Sequence, residues 1–268
     1  MSVQTLYTAA TGMEALQTKL DVIANNLANV NTTGFKRGRA NFEDLFYRHE
    51  TLPGALDSQN NPTATGTSIG LGTRVQSIQT DLNQGAFKET GDRYNVAIEG
   101  NGFFEVTDPV TNQFLYTRAG NFSVNANGQL VIGSAGTGRL VQPQFNIPPD
   151  TVNVVITPAG VVQVQQAGQT QLQNLGTLQL SLFQNPEGLL KRGENMYQQT
   201  DAAGQITRLI PGQTGAGQLR QNYLEASNVE PVQELIDLIT TQRSFELNSQ
   251  AVKAGDEILQ LISNLRRA

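Results

Sequence analysis

The feature that constrains the fold most is a regular series of apolar residues near the N-terminus. From Leu6 to Val30 they recur at alternating intervals of three and four, at positions 6, 9, 13, 16, 20, 23, 27 and 30. This spacing is typical of a helix with a narrow apolar seam, as in a coiled coil, which one partner helix would cover. A helix of this length spans about 40 Å. Because most helical stability comes from packing, it is expected to need that partner.

A second helical segment near the C-terminus is a candidate partner. Its apolar residues follow one another at intervals of seven: Leu238, Phe245, Val252 and Leu259. Asn228 is a plausible N-cap for this helix, which we expect to run for about 35 residues, or roughly 50 Å. The sequence therefore predicts that the two ends pair as a coiled coil. The alternative is a pair of ordinary core helices in a globular domain.

Between the helices the apolar period changes to two, which indicates β-strands. The alternation is clear in TLQLSLF (177–183), in TVNVVIT (151–157) and, after a PAG turn, in VVQVQQ (161–166). Asn127-Gly128 lies between alternating flanks, a pattern that favours a hairpin. We therefore predict an antiparallel β-rich domain over residues 73–222.

The segment that precedes this domain follows neither period. Residues 50–72 are rich in Gly, Pro, Thr and Asn. We expect them to form a long extended loop whose freedom is limited by Pro53 and Pro62. A loop of this length inside a compact protein is typically functional or disordered.

Together these patterns predict an α+β multidomain fold. The N- and C-terminal helices form a coiled-coil domain, and a central antiparallel β-rich domain lies between them in the sequence. The predicted segments are an N-terminal helix at 1–35, a connection at 36–72, the β-rich domain at 73–222 and a C-terminal helix at 223–268 that packs with the first. Seams of this kind favour contacts between copies of the chain, and a contact that does not close produces a helical filament.

The exit of the first helix is rich in asparagine. It holds four asparagines followed by a glycine and a phenylalanine: Asn25, Asn26, Asn29, Asn31, Gly34 and Phe35. Asparagine competes for backbone hydrogen bonds and is a mediocre helix former, whereas glycine adopts the left-handed conformation that ends many helices. A plain capped helix needs one Asn and Gly34. The additional asparagines indicate a defined exit whose amides bond to neighbouring subunits, with Phe35 as an anchor.

Composition argues against several classes of function. The net charge of -5 and the pI near 5.0 argue against nucleic-acid binding, and the cluster KRGR (36–39) is too small a basic footprint. No apolar run is long enough to cross a bilayer, so direct membrane insertion is not expected. The N-terminus lacks a basic region followed by an apolar run, so no cleavable secretory signal is expected either.

Candidate catalytic groups are few. The chain has no cysteine, which removes disulfides, thiolate metal sites and a cysteine nucleophile, and His49 is its single histidine. The glycine-rich segments 133–140 and 212–217 lack the residues that hold phosphate and magnesium, and they are better interpreted as turns. We therefore expect no enzymatic activity, no cofactor and no metal site.

Several segments resemble the bacterial flagellar rod and hook proteins, in the same order along the chain. They are ANNLANVNTTGFKR (24–37), IEGNGFFEV (98–106), YTRAGNFSVNANGQLV (116–131) and LEASNVEPVQELIDLITTQRSFELNSQAVKAGDEILQ (224–260). The resemblance runs over most of the chain. Within the family it is greatest to the distal rod members, on the run VIANNLANVNTTGFKRGRANFEDLFY (22–47) and the loop that follows.

This resemblance implies a non-enzymatic structural subunit that polymerises into a hollow helical shaft and transmits torque. Members of the family pass through the flagellar export apparatus without a cleaved signal, and their terminal helices line the axial channel. The implied partners are copies of the same chain, the proximal rod and hook proteins, and the ring bushings around a basal-body shaft that spans the periplasm. The predicted assembly residues are Leu16, Leu20, Ile23, Asn25, Asn26, Leu27, Asn29, Asn31, Gly34, Phe35, Leu238, Phe245, Val252 and Leu259.

A shaft must resist bending, whereas the related hook is a flexible joint. Similar axial helices do not explain that difference, so the resemblance directs attention to residues 50–72, with Pro53 and Pro62 as stiffening positions. The alternative for this segment is a disordered spacer. For the whole chain, the alternatives are another rod or hook subunit, a secreted coiled-coil adhesin or appendage protein, and a β-rich enzyme with carboxylate chemistry.

Overall fold

A computed structural model of the chain describes residues 3–54, 56, 64–134, 137–169 and 171–265. Contacts within the chain divide it into two compact units. The helical unit comprises Met1–Ala28, Gly38–Thr80 and Glu230–Ala268. The β unit comprises Asn29–Arg37 and Asp81–Val229. The segment that leaves the first helix therefore groups with the strands of the β unit.

The described part of the helical unit contains two α-helices, α1 (Val3–Ala28) and α2 (Pro231–Leu265). They lie antiparallel to each other. Asn26, near the end of α1, donates a hydrogen bond to Glu234, near the start of α2. At the other end of the pair, a Cβ added to Gly255 would lie too close to the side chain of Leu6. The helices therefore approach closely where α2 has its smallest residue.

The coiled coil predicted for these helices is wrong. Among the α2 residues whose burial the structure describes, the buried positions are polar or small, namely Glu234, Thr241 and Gly255. The four predicted seam residues are only half-buried: Leu238, Phe245, Val252 and Leu259. In α1, Ile23 is buried, but three other predicted seam residues are half-buried: Leu16, Leu20 and Leu27. Small residues and a buried hydrogen bond make this contact, rather than interlocking apolar seams. What remains of the predicted class is a mixture of terminal helices and a large β-rich body.

An antiparallel ribbon completes the helical unit. One part pairs β1 (Gly38–Asp44) with β4 (Thr73–Thr80), and the other pairs β2 (Tyr47–Thr51) with β3 (Thr67–Gly70). Irregular register in both parts marks β-bulges, which increase local twist. The segment 50–72 thus contains paired strands.

The two prolines of that segment differ in what the structure shows. Pro53 lies in an exposed turn just after β2, whereas Pro62 lies outside the described residues. Residue 73, the predicted start of the β-rich domain, falls inside the ribbon, at the start of β4.

The β unit consists of antiparallel strand pairs. Its strands β5 to β20 are Phe87–Glu89, Val96–Glu99, Phe104–Thr107, Phe114–Thr117, Ser123–Val124, Leu130–Ser134, Thr137–Gln142, Thr151–Ile156, Val161–Gln166, Gln173–Thr177, Leu180–Phe183, Leu190–Gly193, Met196–Gln198, Ile206–Leu209, Gln218–Gln221 and Tyr223–Glu225. One sheet has the order β16-β17-β8-β7-β11-β10-β9, and a second has the order β12-β13-β14. The remaining strands pair as β15-β18, β19-β6 and β20-β5.

Apolar residues that recur at every second position of the sequence form much of the core of this unit. Val162 and Val164 of β13 are fully buried, while Val161, Gln163 and Gln165, which alternate with them, are half-buried. Val152 of β12 is exposed although it belongs to the same alternation, because the register shifts between Thr151 and Asn153. The predicted hairpin at Asn127-Gly128 is confirmed, since these residues connect β9 to β10.

A smaller apolar cluster in the same unit is rich in aromatic rings. The rings of Phe103 and Phe183 lie 5.7 Å apart between centroids, and those of Tyr116 and Phe183 lie 4.8 Å apart, both edge to face. Tyr197 meets Phe103 in the same way at 5.7 Å. Edge-to-face pairs add stability beyond the area they bury, so this cluster is a rigid aromatic wall.

Candidate functional site

The asparagine-rich helix exit begins with one buried side chain. Asn26 is 2% exposed, and its amide nitrogen donates to the Gly38 carbonyl at 2.9 Å and to Glu234 Oε2 at 3.3 Å. Its amide oxygen accepts from the Gly38 N–H at 2.8 Å. An amide supplies both donors and an acceptor, so Asn26 joins α1, the start of β1 and α2 within the helical unit.

The other three asparagines have different surroundings. Asn29 accepts a hydrogen bond from the Thr32 hydroxyl at 3.1 Å in a turn that follows α1. Asn25 and Asn31 are exposed. Their predicted role in bonding to neighbouring copies stays a prediction.

Gly34 has the left-handed backbone expected from the sequence, with φ at 68°, but it does not terminate a helix. Because α1 already ends at Ala28, Gly34 belongs to the following turn, where it lies against the β unit. Its N–H donates to the Glu225 carbonyl at 2.8 Å, and an added Cβ would lie 2.9 Å from the Ala119 nitrogen. Glycine is therefore required both for its φ and for its closeness to backbone.

The residues that follow Gly34 attach the segment to other parts of the β unit. Phe35 is half-buried, with the Lys191 ammonium 5.8 Å from the centre of its ring. The Asn228 side chain accepts from the Arg37 N–H at 2.8 Å and donates to the Asp81 carbonyl at 2.9 Å. Asn228 was expected to cap the C-terminal helix, which instead begins at Pro231. Its amide bridges chain segments that are distant in sequence.

A buried cluster of charges lies at the end of the segment. Lys36 Nζ is 2.5 Å from Glu225 Oε1, and both side chains are fully buried. Lys36 also donates to the Asn83 carbonyl at 2.7 Å, and the Gly85 N–H donates to Glu225 Oε1 at 3.0 Å. Arg118 lies on the other side, with its Nε 3.9 Å from Glu225 Oε2. Two cations thus share the Glu225 carboxylate, and the more distant Asp81 also favours the charged form of Lys36.

Burial dominates the electrostatics of this cluster. It lowers the pKa of Lys36, although the nearby Glu225 carboxylate opposes the shift. Burial also lowers the pKa of Arg118, again against the attraction of Glu225. Removing one partner of such a pair leaves the other charge buried without compensation, which destabilises the fold. The arrangement is therefore suited to fixing the 29–37 segment in place. The sequence alone shows Lys36 only as part of the small basic cluster KRGR.

Groups suited to catalysis or metal binding do not converge in the part of the chain that the structure describes. His49 lies exposed in β2, and residues 212–217 form a turn, as expected. No cluster of three or more His, Cys, Asp or Glu side chains that could hold a metal occurs among the described residues. Neither described helix is long and apolar enough to span a membrane.

Comparison with known families and proteins places these features in context. Residues 6–36 match the family of flagella basal body rod proteins, residues 97–164 match the flagellar hook protein FlgE/F/G D1 domain, and residues 220–265 match the flagellar basal body rod FlgEFG protein C-terminal family. The flagellar basal-body rod protein FlgG of Caulobacter vibrioides is 42% identical over 264 residues, covering 98% of this chain and 99% of that protein. FlgG of Bacillus subtilis is 37% identical over 270 residues, with the same coverage of both chains.

A third relative is similar in sequence to this chain over almost its whole length. FlgG of Buchnera aphidicola subsp. Baizongia pistaciae is 42% identical over 260 residues, covering 97% of this chain and 98% of that protein. This chain belongs to the FlgG family of flagellar basal-body rod proteins. Two of the matched regions contain the buried ion pair of this FlgG-family chain, because Lys36 lies in the first and Glu225 in the last.

Helix α2 of this FlgG-family chain carries an apolar face that no described residue covers. Four residues of its first turns are exposed and share one face, at spacings of three and four: Val232, Leu235, Ile236 and Ile239. They are distinct from the buried positions Glu234 and Thr241, which pack within the helical unit. Contiguous exposed apolar side chains of this kind mark interaction surfaces. Leu235 was predicted from the sequence to widen the apolar stripe of this helix, whereas Val232, Ile236 and Ile239 lie outside the seven-residue repeat that predicted the seam.

Proposed function

We propose that this FlgG-family chain is a structural subunit of the flagellum that self-assembles into the hollow helical distal rod. In that role it transmits torque from the motor to the hook and lines the export channel. The observation that carries the proposal is 42% identity to FlgG rod proteins over almost the full length of both chains. The similarity covers 97–98% of this chain and 98–99% of those proteins, so it is not confined to one domain.

The exposed face of α2 supports self-assembly independently of the relatives. Its four residues, Val232, Leu235, Ile236 and Ile239, are 43–71% exposed, and their complete burial would contribute about 3–6 kcal/mol in total. If this face binds a different surface on the next copy, the contact is heterologous. Heterologous contacts that do not close into a ring extend into a helical filament. The predicted assembly residues of both helices belong to this proposal.

The experiment is to concentrate the purified chain and examine it by electron microscopy and sedimentation. We expect tubes or protofilaments that pellet. The double variant Ile236→Asp/Ile239→Asp should remain folded, because both residues are exposed, but should not pellet. Val152→Asp, which changes an exposed valine of the β unit, is the matched control and should pellet like the unaltered chain. A discrete oligomer that binds glycans would overturn the proposal and favour an adhesin.

The proposal extends to the surroundings of the rod. Its neighbours are the proximal rod and hook proteins and the ring bushings, it spans the periplasm, and it is exported through the flagellar apparatus without cleavage. It has no enzymatic activity. Mass spectrometry of the chain in purified basal bodies tests the export step, because an uncleaved N-terminus is expected there, with at most the initiator methionine removed.

The β2–β3 part of the ribbon is proposed to stiffen the rod by restraining the sliding of neighbouring copies. Paired strands project more rigidly than a spacer, and Pro53 restricts the turn that follows β2. Leu52 and Leu56 are exposed there and available for contacts with other copies. Pro62 is proposed to act similarly, although it lies outside the described residues.

A further inference from the structure

A small cavity opens in the β unit beside the aromatic cluster. It has a volume of about 250 Å³ and is lined mainly by Leu82, Phe103, Arg118, Leu182 and Phe183. Pockets for drug-sized molecules have volumes of ~300–1,000 Å³. This cavity is smaller, and its walls are apolar and aromatic, so it suits a single side chain of a protein better than a free ligand. We refer to it as the aromatic pocket.

Charge distinguishes the aromatic pocket from an ordinary apolar cavity. Arg118 lines it with a side chain that is 6% exposed, and its guanidinium lies 5.5 Å from the centre of the Phe103 ring. One of its nitrogens donates to the Gly100 carbonyl at 2.8 Å. Among the described residues, the ion pair of Arg118 is with Glu225 at 3.9 Å, and Lys36 holds the same carboxylate at 2.5 Å, so the wall of the pocket contains a weakly paired cation. A complementary occupant would combine an apolar ring with a nearby carboxylate.

The helical unit displays such a combination at the corner between β1 and β2. Phe46 is 88% exposed, more than any other large apolar side chain in the described part of the chain. Asp44 is exposed two residues earlier and accepts a hydrogen bond from the Tyr47 hydroxyl. The ion pairs resolved in this part of the ribbon, Glu43 with Arg74 and Arg48 with Glu50, do not use Asp44. We refer to residues 44–47 as the aromatic corner.

We propose that the aromatic corner of one copy docks into the aromatic pocket of another copy. Phe46 enters the aromatic pocket and packs against the wall formed by Phe103 and Phe183, and the Asp44 carboxylate approaches Arg118. The inference rests on the proposed self-assembly and names a contact within it. Since the corner and the pocket are different surfaces of the same chain, the contact is heterologous and can repeat without closing. It places an aromatic side chain in a desolvated pocket, which is typical of residues that dominate interfaces.

Cysteine cross-linking tests the contact in the full-length chain, which has no native cysteine. Phe46→Cys and Leu182→Cys chains are mixed, assembled and oxidised. We expect a disulfide-linked dimer to form about 100-fold faster in the pelleted polymer than in dilute solution, since the contact raises the effective concentration of the two thiols. Val110→Cys replaces Leu182→Cys in the control, because Val110 is 84% exposed in the same unit. Equal rates for the two pairs would overturn the inference.

A second measurement uses the absence of tryptophan from the chain. The fluorescence of a Phe46→Trp variant should shift to the blue on polymerisation, whereas Val110→Trp should keep the emission of an exposed indole. Phe46→Ala should raise the concentration needed for polymerisation by about 30-fold, as for the loss of a central aromatic contact. If tubes form while the indole of Phe46→Trp stays exposed and the thiol of Leu182→Cys stays free, the pocket serves another protein and the inference fails. If the unaltered chain forms no polymer, the proposed function itself fails.

Discussion

Replacing Gly34 by alanine tests whether close backbone packing fixes the 29–37 segment to the β unit. At φ 68° an alanine costs about 1–2 kcal/mol relative to the right-handed region. Its Cβ would lie 2.9 Å from the Ala119 nitrogen and 3.1 Å from the Arg118 carbonyl carbon. These are backbone atoms, so the segment must move and weaken the hydrogen bond to the Glu225 carbonyl, at a further cost of about 1 kcal/mol. We expect the free energy of unfolding to fall by about 2–3 kcal/mol in total.

Gly91→Ala is the matched control for this change. Gly91 also lies in the β unit, with φ at 59°, and a Cβ there would meet no described atom within 4 Å. The free energy of unfolding of Gly91→Ala should fall by about 1–2 kcal/mol, which is the cost of the left-handed backbone alone. Urea denaturation measures both losses, and hydrogen exchange should show faster exchange of residues 29–37 in Gly34→Ala alone. Equal losses in the two variants would refute the argument from close packing.

Three further predictions concern the buried charges, the buried tyrosines and the ribbon. Glu225→Gln should lower the free energy of unfolding by about 3–5 kcal/mol, because it leaves two buried cations without their carboxylate. Lys36→Met should lower it by less, because Arg118 and Glu225 remain as a neutral pair. Equal losses of stability for the two variants in denaturant titrations would contradict the charge assignment. Burial raises the pKa of Tyr116 and Tyr197 to about 12, so the unfolded chain loses these protons first; stability should fall as pH rises above 10, and the fall should be smaller in the corresponding Phe variants. Deleting residues 51–66 should give tubes that still form but bend more easily, and an unchanged persistence length in electron micrographs would exclude the stiffening role.

Local patterns in the sequence predicted the β unit well. The alternation at Val162 and Val164 and the Asn127-Gly128 turn depend only on neighbouring residues, and both appear as predicted. A strand alternates because one face packs on the core, so its sequence records burial directly. Val152 departs from the alternation because a bulge shifts the register, and no residue type announces that shift.

The helix pair and the buried charges could not be predicted in the same way. An apolar heptad shows which face of a helix is apolar and favours burial. In α2, however, the face that packs against α1 carries Gly255, Thr241 and Glu234. Lys36 and Glu225 are far apart in sequence, and nothing in their spacing indicates that they pair. Charged residues are almost always exposed unless paired. A lysine in a basic cluster therefore gives no reason to expect complete burial.

The exposed face of α2 indicates how assembly depends on concentration. Its four apolar residues are 43–71% exposed, so burying the rest of them contributes about 3–6 kcal/mol by area, whereas association costs about 4–15 kcal/mol in lost freedom. A single contact of this kind is therefore marginal. A copy that joins an existing tube contacts several neighbours but loses its translational and rotational freedom only once. Addition to a tube is therefore favoured under conditions where two free copies would not form a stable dimer. The chain should consequently stay monomeric below a critical concentration and polymerise with a lag, and preformed tubes should abolish that lag.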